Sequence, residues 1–276
     1  MLVSQLAIYP VKSCAQVILE KSQIDHFGLQ WDRRWMLVDE KGKFLSQRLL
    51  PRMCFIRPQQ NEDSLVLHAP NTKSCEIKMA VISEMRKVTV WGDECNAIDC
   101  GDEVANWLTS FLEKKCRLVY FPEEQIRQVD LEYAEKGDRT AFSDGFPFLL
   151  ISEASLDDLN NRMKQNNPQQ ENIEMRRFRP NLVVSGCEPF AEDSWSKIQI
   201  GDMVLRIVKP CSRCVIPSIN PETGVRGDEP TQTLKTFRRG IGGQSENKWY
   251  FGQNVIAEST GQIKVGLAVK VLEYNE

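Results

Sequence analysis

Nearly every apolar segment of this chain is too short for a helix and carries the residue types of a strand. Leu2–Tyr9, Trp35–Val38, Phe44–Gln47, Cys54–Arg57, Ser64–His68, Ser74–Met79 and Lys87–Trp91 are brief runs rich in β-branched or aromatic side chains, which suit a pleated, half-buried surface. Turn chemistry separates several of them, as in Glu40-Lys-Gly-Lys43, Pro58–Asp63 and Ala69-Pro-Asn-Thr72. Trp35–Val38 and Phe44–Gln47 across Gly42 predict a hairpin. Strands resume at Asn181–Ser185, Lys197–Ile200, Met203–Val208, Trp249–Ile256 and Gln262–Leu272. Ile198-Gln-Ile-Gly-Asp202 and Ile263-Lys-Val-Gly-Leu267 share a strand, glycine turn, strand pattern, which suits a closed β-barrel of short hairpins. No alternation of strand and helix runs through the chain, which argues against a doubly wound parallel sheet. The predicted class is mostly β with a few helices, an α+β arrangement.

Two helices interrupt the strands. Val104, Trp107, Leu108, Phe111 and Leu112 form one apolar stripe. Asp102 and Glu103 precede it and Lys114 and Lys115 close it, as the helix dipole favours. A second helix starts at Ser152 and buries Leu156, Leu159 and Met163. Between them Phe121–Gly145 is polar and irregular, with a helical turn near Leu131–Ala134. A boundary near Arg117–Phe121 divides the chain into residues 1–119 and 120–276.

The net charge of −3 over 276 residues supplies no global basic field for nucleic acid. Nine cysteines stand against two histidines; an odd count leaves a thiol over from any full disulfide framework, and a chain of this length needs no staples. They read as reduced thiols of a cytoplasmic protein. The apolar N-terminus lacks a basic flank and is interrupted by Ser4 and Gln5, so it makes no signal peptide. No window approaches the apolar run of about 18 residues that a membrane helix requires.

The densest chemistry lies in Val208-Lys-Pro-Cys-Ser-Arg-Cys-Val215, where Cys211 and Cys214 form the one C-x-x-C. Structural zinc needs four ligands, and His26 and His68 stand far upstream with no second pair. A thioredoxin-type dithiol needs a helix after the first cysteine, whereas Val215-Ile-Pro-Ser-Ile219 is β-branched and broken by proline. Two buried cysteines acting as small hydrophobes remain a full alternative. Against it, Lys209 and Arg213 favour thiolate, and Pro210 and Pro217 stiffen the loop, as a soft-metal ligand or nucleophile requires.

Basic residues gather at other strand ends. Arg176-Arg-Phe-Arg-Pro-Asn181 places three arginines before a strand, where a solvated charge run is the ordinary outcome and a phosphate or carboxylate site the sharper one. Tyr9-Pro-Val-Lys-Ser-Cys14 and Asp32-Arg-Arg-Trp35 add further cations. Together they suit one phosphorylated small ligand; nucleic acid would need a broader stripe. Two histidines support no Ser/His/Asp triad. Gly240-Ile-Gly-Gly243 lacks the lysine and context of a phosphate-binding loop and reads as a mobile linker.

Several segments occur in a recognisable order: Tyr9-Pro-Val-Lys-Ser-Cys14, Asp32-Arg33, Asp144, Phe178-Arg-Pro-Asn181, Ala191-Glu-Asp-Ser-Trp195, Cys211-Ser-Arg-Cys214, Pro221-Glu-Thr-Gly224 and Phe251-Gly-Gln253. In these the chain resembles the MOSC-domain proteins, named for the C-terminal domain of molybdenum cofactor sulfurase, and within them the amidoxime-reducing branch. The resemblance covers essentially the whole chain. It implies an N-terminal MOSC-associated β region over residues 1–119, barrel-like, and a MOSC-type β-barrel over 120–276. It also implies a molybdenum cofactor (Mo-molybdopterin) and the reduction of small N-hydroxylated compounds: amidoximes, hydroxylamines and N-hydroxylated bases.

Carried over residue by residue, the resemblance makes Cys214 the protein ligand to the metal. It makes Lys12, Ser13, Arg33, Arg179, Asn181, Ser212 and Arg213 partners of the phosphate and pterin. Asp144 matches a catalytic-loop position near the metal, but Gly145 and Phe146 replace the family's small hydroxyl residues after it. The N-terminal targeting and membrane anchor of eukaryotic relatives is not expected here, nor is the appended iron–sulfur domain of some bacterial ones. Electrons would come from a separate flavin, haem or iron–sulfur protein. The alternatives are a cofactor carrier or sulfur-transfer protein with a Cys214 persulfide, and an anion-binding barrel without chemistry.

Overall fold

A computed structural model describes residues 1–78 and 84–275. The largest sheet has eight strands in the order Val269–Tyr274, Trp195–Ile200, Met203–Ser212, Tyr250–Ala257, Phe148–Ser152, Leu182–Ser185, Leu2–Ile8 and Val17–Leu19. Neighbours are antiparallel except Phe148–Ser152 and Leu182–Ser185, whose parallel pairing needs the long crossover that the helix Glu153–Asn166 provides. The sheet curls back on itself: Leu2 bridges Ala268, and Val269 N–H donates to Met1 O at 3.0 Å. Alternate residues point into the curl, so Ile198, Ile200, Met203 and Leu205 are buried against Leu6, Ile8 and Val255.

Three smaller sheets complete the strands. Trp35–Val38, Arg117–Tyr120, Asp93–Asp99 and Met85–Val90 make four in that order; Gly261–Lys264, Lys21–Asp25 and Gly28–Leu29 make three, as do Arg57–Gln60, Ser64–His68 and Cys75–Lys78. Mostly β with a few helices is therefore the class observed. The chain leaves the four-stranded sheet after Tyr120, while its first strand, Leu2–Ile8, sits beside Leu182–Ser185 in the large sheet. Met79, the end of the predicted Ser74–Met79 strand, lies outside the described residues.

Several expectations need correction. Trp195–Ile200 and Met203–Ser212 do form a glycine hairpin, but the similar Ile263–Leu267 segment does not. Gly261–Lys264 pairs with Lys21–Asp25, and Val269–Tyr274 pairs with Trp195–Ile200, because Gly266 at φ 86° turns the chain from one sheet to another. Phe44–Gln47 forms no strand: after the Val38–Phe44 bridge, Ser46 O accepts from Leu49 and Leu50 N–H and curls the chain away. Cys54 belongs to a 3-10 turn, Pro51–Phe55, begun by the fixed φ of Pro51, and the strand runs from Arg57 to Gln60, into the predicted turn Pro58–Asp63.

The first helix is Asp102–Leu112 and buries Val104, Leu108, Phe111 and Leu112. It stops before the two lysines, since Glu113 takes the left-handed conformation that ends helices. Ser152 caps the second helix by accepting from Ser155 N–H at 3.1 Å. Leu159 and Met163 are buried and Leu156 is half-buried. Leu131–Ala134 is a turn without helix, and Gly240–Gly243 is a tight turn lying on Pro210, where a Cβ on Gly242 would come within 3.1 Å of Cγ.

Candidate functional site

All nine residues singled out by sequence line one cleft: Lys12, Ser13, Arg33, Asp144, Arg179, Asn181, Ser212, Arg213 and Cys214. They come from the ends of strands and from the turns just before or after them. Ser13, Arg33 and Arg179 share a feature rare outside glycine, a left-handed backbone, with φ of 67°, 49° and 60°. Such conformations cost stability and gather at functional sites. Here they sit in three turns that line the same cleft.

A hydrogen-bonded frame holds these turns. Arg33 Nη1 donates to Asp32 at 2.6 Å and to Asn181 Oδ1 at 3.0 Å. Asn181 Nδ2 donates to Ala7 O, and Arg179 Nη1 donates to Cys14 O at 2.7 Å. Asp32 is buried and also accepts from Tyr9 N–H. Its neighbour Arg34 turns inward and donates to Phe121 O, so of that pair only Arg33 reaches the cleft. Likewise Arg179 alone of the three-arginine run enters it: Arg176 pairs with Glu174 and Glu222, and Arg177 donates to Pro217 O.

Cys211 and Cys214 both face the cleft. Two register shifts, after Ile207 and after Pro210, bend the end of the strand Met203–Ser212, as bulges do where a side chain must be re-aimed. Gly252 opposite takes φ 78°, and a Cβ there would lie 2.8 Å from Leu150 O. Cys214 is followed by a single 3-10 turn, Ile216–Ser218, whose first N–H donates to Cys214 Sγ at 3.4 Å. No α-helix begins at either cysteine, and no group of three or more potential metal ligands from His, Cys, Asp and Glu occurs among the described residues. Burial raises the Cys211 thiol, opposed by Arg213, whose Nη1 lies 3.2 Å from its sulfur.

The cleft is a place for negative charge. Lys12 is buried and donates to Asp144 Oδ1 and Phe142 O, each at 2.6 Å. Burial lowers the Lys12 ammonium against the opposing pull of Asp144. Lys12, through its charge and its hydrogen bond, and the Trp91 indole N–H hold the Asp144 carboxyl below the usual range. Burial, and next the charge of Arg33, bring Arg179 down to about 10. Neither Arg179 nor Arg213 has a carboxylate partner among the described residues, and the buried Arg179 Nη2 and Arg213 Nε have no acceptor. Unsatisfied buried donors are costly, and both belong to residues that line the cleft.

Some residues at or beside the cleft carry no role in the sequence reading. Asn254 sits one position beyond Phe251-Gly-Gln253, and Phe178 walls the cleft beside Arg213. Trp91 was read only as the end of a strand, yet its Nε1 donates to Asp144 at 3.1 Å. Its distance of 53 residues from Asp144 leaves no local signal. The segment Ala191–Trp195 lies away from the cleft; Asp193 pairs there with Arg238 and Glu192 is buried.

Residues 1–115 match the MOSC N-terminal beta barrel domain, and residues 137–270 match the MOSC domain. The chain is 39% identical over 288 aligned positions to "Mitochondrial amidoxime-reducing component 1" of Homo sapiens, covering 98% of this chain and 82% of that one. It is 36% identical to the Mus musculus protein of the same name, with the same coverage, and 34% identical to "Mitochondrial amidoxime reducing component 2" of Bos taurus, covering 96% and 81%. With both regions matched and relatives of this similarity along nearly its whole length, the chain belongs to the MOSC-domain family, in its amidoxime-reducing component branch.

Proposed function

We propose that the cleft holds a molybdenum–pterin cofactor and that the chain reduces N-hydroxylated compounds: amidoximes, hydroxylamines and N-hydroxylated bases. The observation that carries this reading is the pair of unpartnered arginine donors, Arg179 Nη2 and Arg213 Nε, in a cleft that also presents a thiol, Cys214. That donor set fits the group: guanidinium forks suit its phosphate and a thiolate suits a soft metal. The names of the relatives, amidoxime-reducing components, favour the same chemistry. Taking residues 1–119 and 120–276 as two regions, Lys12, Ser13 and Arg33 come from the first and the other six residues from the second.

When bound, the cofactor supplies a two-electron couple, the capacity needed to turn R–NHOH, two electrons and two protons into R–NH₂ and water. The chain's own part is to bind and orient. Cys214 is the metal ligand, and the Ile216 N–H directed at its sulfur tempers the thiolate. Lys12, Arg33, Arg179 and Arg213 neutralise the cofactor's charge, with Ser13, Asn181 and Ser212 as hydrogen-bonding partners. Asp144, exposed over 65% of its side chain and kept ionised by Lys12, faces the substrate as an acceptor. The electrons come from a separate flavin, haem or iron–sulfur protein. All nine cysteines are free, which favours a reducing compartment, the cytoplasm. No helix among the described residues is long and apolar enough to cross a membrane.

Metal analysis of protein purified from a host that makes the cofactor tests this directly. Molybdenum near one atom per chain and turnover of benzamidoxime with a reduced dye are expected, both lost in Cys214→Ala. Absence of molybdenum, or undiminished turnover in Cys214→Ala, would overturn it. A labile extra sulfur on Cys214 without turnover would favour sulfur transfer instead.

A further inference from the structure

Trp91 occupies the first position of the two-residue turn between Met85–Val90 and Asp93–Asp99, with φ of 56°. Hairpin turns put glycine, asparagine or aspartate where φ is positive, and a bulky side chain there is an outlier. Glycine at 91 would relax the turn, so the indole stands there against the preference of the backbone. It is also 42% exposed. Packing does not explain a strained, exposed tryptophan.

Its surroundings do. The indole Nε1 donates to Asp144 Oδ1, the same oxygen that accepts from Lys12 at 2.6 Å. Among the described residues no donor reaches Asp144 Oδ2, and Asp144 lines the cleft. The Phe44 ring packs on Trp91 at 5.0 Å, tilted by 54°. The Arg48 guanidinium lies 4.4 Å from the indole centroid. Arg48 is exposed and makes no ion pair among the described residues; a cation–π contact with the indole, weak when exposed, and the charge of the nearby Asp144 hold it there. A guanidinium is a flat, delocalised N–C–N group. The structure thus displays such a group seated on an aromatic ring beside a carboxylate oxygen that lacks a donor.

We propose that Trp91 determines substrate specificity in the reaction proposed above. The flat N–C–N group of an N-hydroxylated amidine or guanidine displaces Arg48 from the indole and donates an N–H or O–H to Asp144 Oδ2. A small hydroxylamine has no conjugated plane to stack and gains only the hydrogen bond. This inference rests on the reductase reading of the cleft, and its test separates the two.

The experiment uses the cofactor-loaded protein, as wild type, Trp91→Gly and Trp91→Phe. It compares kcat/KM for benzamidoxime with kcat/KM for N-methylhydroxylamine, with a reduced viologen dye as donor. Trp91→Gly is expected to keep or raise Tm while lowering that ratio about tenfold. Trp91→Phe retains an aromatic face and should hold the ratio within about threefold of wild type. Calorimetric binding of benzamidine, planar and not reducible at nitrogen, should weaken about tenfold in Trp91→Gly, independently of turnover. An unchanged ratio together with unchanged benzamidine affinity in Trp91→Gly overturns the proposal. So does a Trp91→Phe ratio that falls as far as that of Trp91→Gly, because the indole N–H would then act through Asp144 alone. If wild type turns over neither substrate, the reductase reading fails, and the benzamidine titration still decides the Trp91 seat.

Discussion

Arg33 Nη2 donates to the backbone carbonyl of Arg179 at 3.1 Å, and the two guanidinium groups lie 4.2 and 4.1 Å from the centroid of one ring, Tyr9. Like charges held so close repel, and only Arg33 has a carboxylate, Asp32. The tyrosine face and the hydrogen bond offset part of that repulsion. An anion in the cleft would relieve the rest.

Arg179→Met should therefore separate stability from binding. Replacing a half-buried charge that has no carboxylate partner with an apolar chain of similar length leaves the molybdenum-free protein at least as stable, with a gain of about 1 kcal/mol. Molybdenum retained through purification should fall by about tenfold or more, because a guanidinium on the phosphate is lost. Thermal unfolding of the metal-free protein and metal analysis of the loaded protein check the two arms. A large drop in Tm of the metal-free variant would contradict this account of Arg179.

Gly252→Ala should unfold the protein more easily. The added Cβ would meet Ile151 Cγ1 at 2.5 Å and Leu150 O at 2.8 Å, on a backbone with φ 78°. Either the central strand Phe148–Ser152 or the bulge that re-aims Cys211 must shift. A loss of about 2 kcal/mol or more in denaturant unfolding is expected. A variant as stable as wild type would show that the strand pair is looser than these contacts require.

Glu192 gives a pH dependence of known sign. It accepts from Ser152 N–H and Ser155 Oγ, but burial dominates and raises its carboxyl above the ordinary value. The folded state keeps that proton longer than the unfolded state, whose value is near 4.3 (roughly). The stability it contributes is complete below the unfolded value and is lost as pH rises through the folded one. Glu192→Gln carries no proton to lose, so its Tm should match or exceed that of wild type at pH 8 and fall behind in acid. A parallel pair of Tm curves against pH would rule the explanation out.

Asp193→Asn tests whether the segment Ala191–Trp195 has a structural role. Asp193 holds the buried Arg238 through both oxygens, at 2.6 and 3.0 Å, and accepts from Gln253. Removing its charge strands that arginine, at about 3 kcal/mol of unfolding free energy. Molybdenum per folded molecule should stay near the wild-type level. Loss of metal without loss of stability would move the segment into the binding machinery.

Segments with one buried face were legible from their pattern alone. Ser64–His68 is a strand at the residues expected, and the stripe from Val104 to Leu112 is a helix; Trp35–Val38, buried at every residue, is also a strand as expected, marked by its residue types and the turn after it rather than by alternation. Phe148–Ser152 was not legible, because it is buried on both faces, against Leu182 on one side and Leu159 on the other. A strand covered on both sides shows no alternation, and the sequence reading assigns only the helix from Ser152 there. Asp93–Asp99 was hidden by its polar residues, Asp93, Glu94 and Asn96, which face water while Cys95, Ala97 and Asp99 turn inward.

By itself the sequence determined the β class, through strand-forming residues set between turns, and the kinds of group a ligand would meet: arginine forks, a lysine and a pair of thiols. Tertiary structure decided which of them meet. Arg34, Arg176 and Arg177 resemble Arg33 and Arg179 as residues, yet the first is spent on a backbone carbonyl and the others face away from the cleft. The choice rests on backbone twists at Ser13, Arg33 and Arg179 that no residue preference calls for. Strands far apart in sequence hold those twists, because the energy that offsets a left-handed residue comes from the packing and hydrogen bonds around it. Trp91 follows the same rule, since only the folded chain brings it to Asp144.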